Sequence, residues 1–210
     1  MTAPVTEPRP VPQLYMRRPT LDALPPLALP AGFTLRHYQP GDHGHWDRII
    51  GESFGWSEPV GKFDRIMRTD GAFRPERVLF ICQGELPVAT ASAWNRPGAG
   101  AQQGILHYVG TVPAATGHRL GYWVSLACLH RLAKEGRTEC ILQTDDFRIP
   151  AIKTYLRLGY RPLVVHDNQP DRWRKIFAAI GQPELSEQFA AELAAAPWSV
   201  PPDRVDMSSP

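Results

Sequence analysis

Residues 104–122 read GILHYVGTVPAATGHRLGY, and the reading of this stretch decides the fold. Residues 105–112 are rich in β-branched and aromatic side chains, which suit a pleated, half-buried surface, so a strand is predicted there. Pro113 ends it, because proline has no N–H to give to a sheet ladder. Gly117 stands where a helix then begins. The first turn of a helix leaves four amide groups unpaired and carries the positive end of the helix dipole. Residues 117–122 are therefore expected to offer free N–H donors suited to a phosphate or pyrophosphate. Most strand-turn-helix junctions bind nothing, so the rest of the chain has to support that reading.

On the C-terminal side, the helix predicted over 119–134 is apolar almost all round, with Ser125, His130 and Arg131 as the main exceptions. Such a helix is buried on most sides, here against a sheet. Gly136 ends it, and ECILQT at 139–144 is the next strand. A strand-helix-strand of this length implies a parallel pair joined by a right-handed crossover. Pro150 suits the first turn of another helix, carrying Ala151, Ile152, Tyr155, Leu156 and Leu158 and stopping at Gly159; residues 160–165 form a further strand.

On the N-terminal side, VLFIC at 78–82 and LPVATASAW at 86–94 flank Gln83-Gly84 as a hairpin, followed by the Gly/Pro-rich loop NRPGAGAQQ at 95–103. Residues 33–38 read as a first strand. Pro40-Gly41-Asp42 then turns into a helix capped by Asp42, with Trp46, Ile49, Ile50 and Phe54 at helical spacing. A shorter helix after Pro59 carries Phe63, Ile66 and Met67. Before residue 33 the chain holds eight prolines, at 4, 8, 10, 12, 19, 25, 26 and 30. They argue against a regular helix or a central strand, and predict an extended arm whose second half lies against the domain through its leucines. The expected organisation is a Pro-rich arm (1–32), one α/β domain with a mixed sheet flanked by helices (33–182), and a C-terminal helix with a Pro-rich tail (183–210).

Composition narrows the classes of function. With Lys+Arg 23 against Asp+Glu 21 the formal charge is +2, and there is no basic run of the kind that tracks nucleic acid. Cys82, Cys128 and Cys140 lie in apolar contexts with no metal-binding spacing and are expected to be core thiols of a cytoplasmic protein, with no metal. No apolar run reaches the ~20 residues of a membrane helix.

VGTVPAATGHRLGYWVSLACLHRLAKEG followed by LQTDDFRIPAIKTYLRLGYRP resembles the two central motifs of the GNAT superfamily of acyl-CoA-dependent N-acyltransferases. The resemblance extends more faintly over 33–165, and the lead-in RRPTLDALPPLALPAGFTLRHYQPGD is similar to relatives of the mycothiol synthase type. It implies the GNAT fold, acetyl-CoA or another acyl-CoA as cosubstrate, and a small-molecule or peptide amine as acceptor.

The family's pyrophosphate loop runs Gln or Arg, two residues, Gly, one residue, Gly or Ala. Here Thr116 takes the first place, Arg119 replaces the first glycine and Gly121 keeps the last. Two outcomes stand: Arg119 supplies the cation missing at Thr116, or its Cβ weakens the grip on the diphosphate. The cofactor-binding set implied is Thr111, Val112, Thr116, Gly117, His118, Arg119, Leu120, Gly121 and Tyr122, with Arg148 at the place of a common Asn. AIKTYLRLGY matches the segment whose tyrosine serves as general acid, which implies that Tyr155 protonates the departing thiolate. The strand ILHYVGTV has no carboxylate, leaving His107 as the candidate base; a packed strand histidine is the competing reading. Backbone amides near Thr111 would polarise the thioester if this strand splays from the next. Asp145 and Asp146 are expected to diverge into turn or cap duty. Two rivals follow from the departures: a GNAT-fold binding or regulatory module without catalysis, and a decarboxylase of a malonyl thioester.

Overall fold

A computed structural model of the chain describes residues 12–95 and 100–199. The Gly/Pro loop expected at 95–103, the first residues of the arm and the Pro-rich tail lie partly or wholly outside the described residues.

The predicted hairpin and central strand lie in one seven-stranded sheet. β1 is Leu14–Arg18, β2 Phe33–His37, β3 Val78–Gln83, β4 Leu86–Trp94, β5 Gln103–Thr111, β6 Glu139–Thr144 and β7 Arg161–Leu163. Their spatial order is β2-β3-β4-β5-β6-β1-β7. β5 and β6 are parallel and every other adjacent pair is antiparallel, so the sheet is mixed. The parallel pair is joined through α2 (Leu120–Lys134), the expected crossover. α2 buries Leu120, Val124, Leu126, Cys128, Leu129 and Leu132 and packs on β3, β4 and β5. Gly104 is required beneath it: a Cβ there would lie 2.7 Å from the Leu132 methyls. α1 (His43–Phe54) packs on β4 and β5, and α3 (Ile149–Arg157) against α2.

Four expectations need correction. Residues 14–18 are an interior strand, hydrogen-bonded on both sides, rather than an arm resting on the domain. The physical reason is local: Pro12 and Pro19 flank LYMRR without entering it, so every N–H needed by the two ladders is present, while Leu14 and Met16 are fully buried. Asp42 stands before α1, but its carboxylate turns back to Arg36 and the Gln39 amide and makes no cap bond. The short helix after Pro59 is one π-helical stretch, Asp64–Arg68. The C-terminal helix expected within 183–210 is split into α5 (Leu185–Gln188) and α6 (Ala190–Ala194) by Phe189, whose ring turns into the core against Phe177. α4 (Gln169–Ala179) carries Trp173, Ile176 and Phe177 inward. Cys82, Cys128 and Cys140 are buried free thiols, and Tyr160 donates its hydroxyl to Cys140 Sγ.

Candidate active site

β5 and β6 pair only through Gln103↔Glu139, Gly104↔Cys140 and Ile105↔Ile141. Beyond Ile105 the two strands part. A cavity of about 90 Å³ lies in the gap, lined by residues 105–109 of β5, by Gln143 and Thr144 of β6, by Asp145 and Arg148, and by Ala151 and Tyr155 of α3. Gln13 and Phe54 close it. Parted parallel strands cannot satisfy each other's backbone groups, so the inner edges of β5 and β6 are available to a ligand.

A bulge shapes the β5 wall. β4 and β5 shift register between Thr90↔Gly110 and Ser92↔His107, and Tyr108 takes φ 45°, a left-handed conformation uncommon for a residue with a Cβ. The extra residue puts two consecutive rings together: His107 and Tyr108 have centroids 4.3 Å apart. Tyr108 packs on Trp46, Phe54 and Trp56, and His107 lies beside Trp94, whose indole N–H donates to Asp70. His107 is buried, yet lines the cavity. Among the aromatics nearby, Trp46, Phe63 and Trp94 are fully buried core, whereas Phe54 and Trp56 are only half-buried.

Tyr155 reaches the cavity from α3 and is 6 % exposed. Burial pushes its phenol up to about 12, with Arg148 nearby pulling weakly the other way. A phenol held there stays protonated throughout the neutral range, as a proton donor must. Its hydroxyl meets no protein hydrogen-bond partner among the described residues, while its ring packs edge-on against Tyr160.

The turn that opens α2 is built from backbone. Pro113–Ala115 form one 3₁₀ turn, Gly117 has φ 91°, and Arg119 precedes α2 with φ 56° and ψ 29°. Arg119 thus holds the left-handed geometry that a glycine would take without strain, so the loop keeps its path despite the substitution. Its guanidinium lies over the Tyr122 ring, 5.0 Å from the centroid. The Tyr122 amide donates to Arg119 O, so the free donors are fewer than expected; those of residues 117–121 meet no protein acceptor among the described residues. Val112 and Leu120 point into the core and His118 lies against Phe33, so these residues can serve a ligand through backbone alone. Thr116 binds its own turn at Pro113 O. Thr111 and Gly121 meet where β5 passes under the turn, with Thr111 Oγ1 3.8 Å from a Cβ placed on Gly121.

Arg148 is not on that turn. It stands before α3, with its Nε donating to Asp145 Oδ2 at 3.0 Å and its Cζ stacked 3.8 Å from the Phe54 ring centroid. Asp145 Oδ1 accepts from Gln13 Nε2 at 3.1 Å. Asp146 points away, to a two-pronged pair with Arg172 at 2.6 and 3.0 Å. The two aspartates diverge as expected, but into side-chain pairs with Arg148 and Arg172 and not into a cap of α3.

The Acetyltransferase (GNAT) family model matches residues 44–160, more than half of the 210 residues. The chain belongs to the GNAT acetyltransferase family. Among curated relatives, it is 33 % identical over 164 residues to the mycothiol acetyltransferase of Pseudarthrobacter chlorophenolicus, covering 72 % of this chain and 50 % of that protein. It is 30 % identical over 147 residues to that of Nocardia farcinica, covering 66 % and 48 %. The chain thus spans about half the length of the curated relatives it matches. A GCN5-related N-acetyltransferase from Sphaerobacter thermophilus shares the fold with a TM-score of 0.58 at 24 % identity, over 73 % of this chain and 49 % of that one. GNAT enzymes use acetyl-CoA, and the parted strands, the turn before α2 and Tyr155 fall within the matched segment. Gln13 does not, and no local signal in the sequence points to it.

Proposed function

We propose that this GNAT protein transfers an acetyl group from acetyl-CoA to an amine by direct attack on the thioester, with no covalent enzyme intermediate. The observation that carries the reading is Tyr155: a buried, protonated phenol facing a cavity that exists because β5 and β6 part. The diphosphate of coenzyme A rests on the amides of residues 117–121 at the positive end of α2, with Thr111, Val112, Thr116 and Tyr122 shaping the approach. The thioester carbonyl lies along the free inner edge of β5, where backbone N–H groups stabilise the oxyanion of the tetrahedral intermediate. His107 takes the proton of the attacking amine, and Tyr155 gives its proton to the thiolate as the intermediate collapses. The likeness to mycothiol acetyltransferases makes the amine precursor of mycothiol one acceptor to include in a screen.

Calorimetric titration with acetyl-CoA tests the first step. Gly117→Trp is the control, because Gly117 has φ 91°, so a side chain there strains the turn while meeting no protein atom within 4 Å of its Cβ. Micromolar binding by the native protein, lost in the control while the fold is kept, supports the reading. A folded native protein that ignores acetyl-CoA and longer acyl-CoAs overturns it.

A further inference from the structure

Resting on the acetyl-transfer reading, we infer that Arg148 reads a carboxylate on the acceptor, so that the amine acetylated here belongs to an amino carboxylate. Several paired arginines elsewhere in the fold have terminal nitrogens committed: Arg36 to Asp42, Arg77 to Glu135 and Asn95, Arg172 to Asp146 and Pro12 O. Arg131 is held to Glu135 through Nε alone but does not line the cavity, whereas Arg148 does. Its ion pair uses Nε alone, and neither Nη meets a protein acceptor among the described residues.

The guanidinium is nonetheless held still. Phe54 stacks on it, Asp145 fixes its Nε edge, Gln13 fixes Asp145, and only 21 % of the Arg148 side chain is exposed. A planar fork with one edge anchored presents its remaining N–H groups in the geometry that a carboxylate accepts. The fork lines the same cavity as Tyr155, so a group bound to it lies beside the reacting centre. A second polar group is orphaned there: Thr144, 3 % exposed, has a buried hydroxyl without a hydrogen-bond partner among the described residues. Phe147, 76 % exposed, stands next to Arg148 with the guanidinium 5.5 Å from its ring, and offers an apolar surface to the rest of the acceptor.

Charge favours a carboxylate over a phosphate. Asp145 already balances Arg148, so every further negative charge in the cavity is uncompensated by a second cation there, and a carboxylate adds one such charge where a phosphate dianion adds two. Gln13 and Asp145 are positioning residues, acting through Arg148.

The test uses product analogues, which require no turnover. N-acetylphenylalanine and N-acetyl-β-alanine are each titrated beside the corresponding primary amide, with and without coenzyme A. The native protein is expected to bind the acids at least tenfold more tightly than the amides. Arg148→Ala should erase that preference while acetyl-CoA affinity stays within about twofold, and Arg148→Lys, which keeps the charge but loses the fork, should retain a smaller preference. If the alanine variant does not fold, the lysine variant carries the comparison alone. Equal binding of acid and amide by the native protein, no binding of any acid, or a preference that survives in Arg148→Ala overturns the inference. Loss of acetyl-CoA binding in Arg148→Ala does so too, and returns Arg148 to the cofactor. Failure of the native protein to bind acetyl-CoA is a separate result, which sinks the acetyl-transfer reading itself.

Discussion

The turn before α2 and the wall formed by the β6–α3 loop are made of different material. The turn offers backbone amides, and its side chains are occupied elsewhere: His118 on Phe33, Thr116 on its own turn, Arg119 over Tyr122. The wall offers side chains, and each is fixed by another: Gln13 to Asp145, Asp145 to Arg148, Arg148 to Phe54. A backbone site tolerates substitution as long as its dihedral angles survive, which explains how Arg119 can stand at a glycine position. A side-chain site has no such tolerance, because each group is specified by its chemistry.

The largest effect expected from this contrast is at Tyr155. Tyr155→Phe keeps the packing and removes the proposed proton donor, so kcat should fall by about 10²-fold or more, as for loss of a general acid, with acetyl-CoA affinity unchanged. An unaltered rate in a steady-state assay would place the chemistry elsewhere. Next is the first strand, which supports the wall. Met16 is fully buried, and Met16→Ala should cost about 2–5 kcal/mol in denaturant unfolding. A loss within experimental error would mean that β1 is dispensable to the sheet.

The turn should respond more gently, and in the opposite sense. Arg119→Gly relieves a left-handed residue and should raise stability by about 1 kcal/mol, whereas Arg119→Ala keeps the strain and gains nothing. Both should keep acetyl-CoA affinity within about threefold if amides make the site. A tenfold loss in both would instead make the Arg119 cation the binding element.

The smallest effect is on acid stability. Burial alone would raise the carboxyls of Asp42 and Glu135, but hydrogen bonds from Arg36 and the Gln39 amide, and from Arg77 and Arg131, leave both below their ordinary values. A depressed carboxyl stabilises the fold above its unfolded value, about pH 4, and the benefit disappears as pH falls through the folded value. Thermal melts should therefore be flat in this respect above about pH 5 and drop below pH 4; Asp42→Asn should show a shallower drop.

What the sequence disclosed was local. The strand, turn and helix around Gly117 and the segment carrying Tyr155 are written in contiguous residues, through β-branched runs, Pro113, Pro150 and Gly159. The parting of β5 from β6 was legible only through family resemblance. The bulge at Tyr108 leaves no mark on the alternation of ILHYVGTV, since a residue with a Cβ occupies the left-handed position. The place of β1 was hidden for a stronger reason: strand order is set by distant pairing, and the surrounding prolines point the other way. Gln13 went unseen with it, and so did the brace behind Arg148.

The position of β1 also bears on how the chain is made. Arg17 meets Glu139 across 122 residues, so this strand leaves the ribosome long before either of its neighbours exists. Contacts of such separation form late and slow folding. In the interval Leu14, Tyr15 and Met16 are an unpaired apolar segment, the kind that seeds aggregation. Arg17 and Arg18 follow them directly, and Pro12 and Pro19 bound the strand. These neighbours act as gatekeepers, shortening the sticky stretch to three residues until its slot in the sheet is ready.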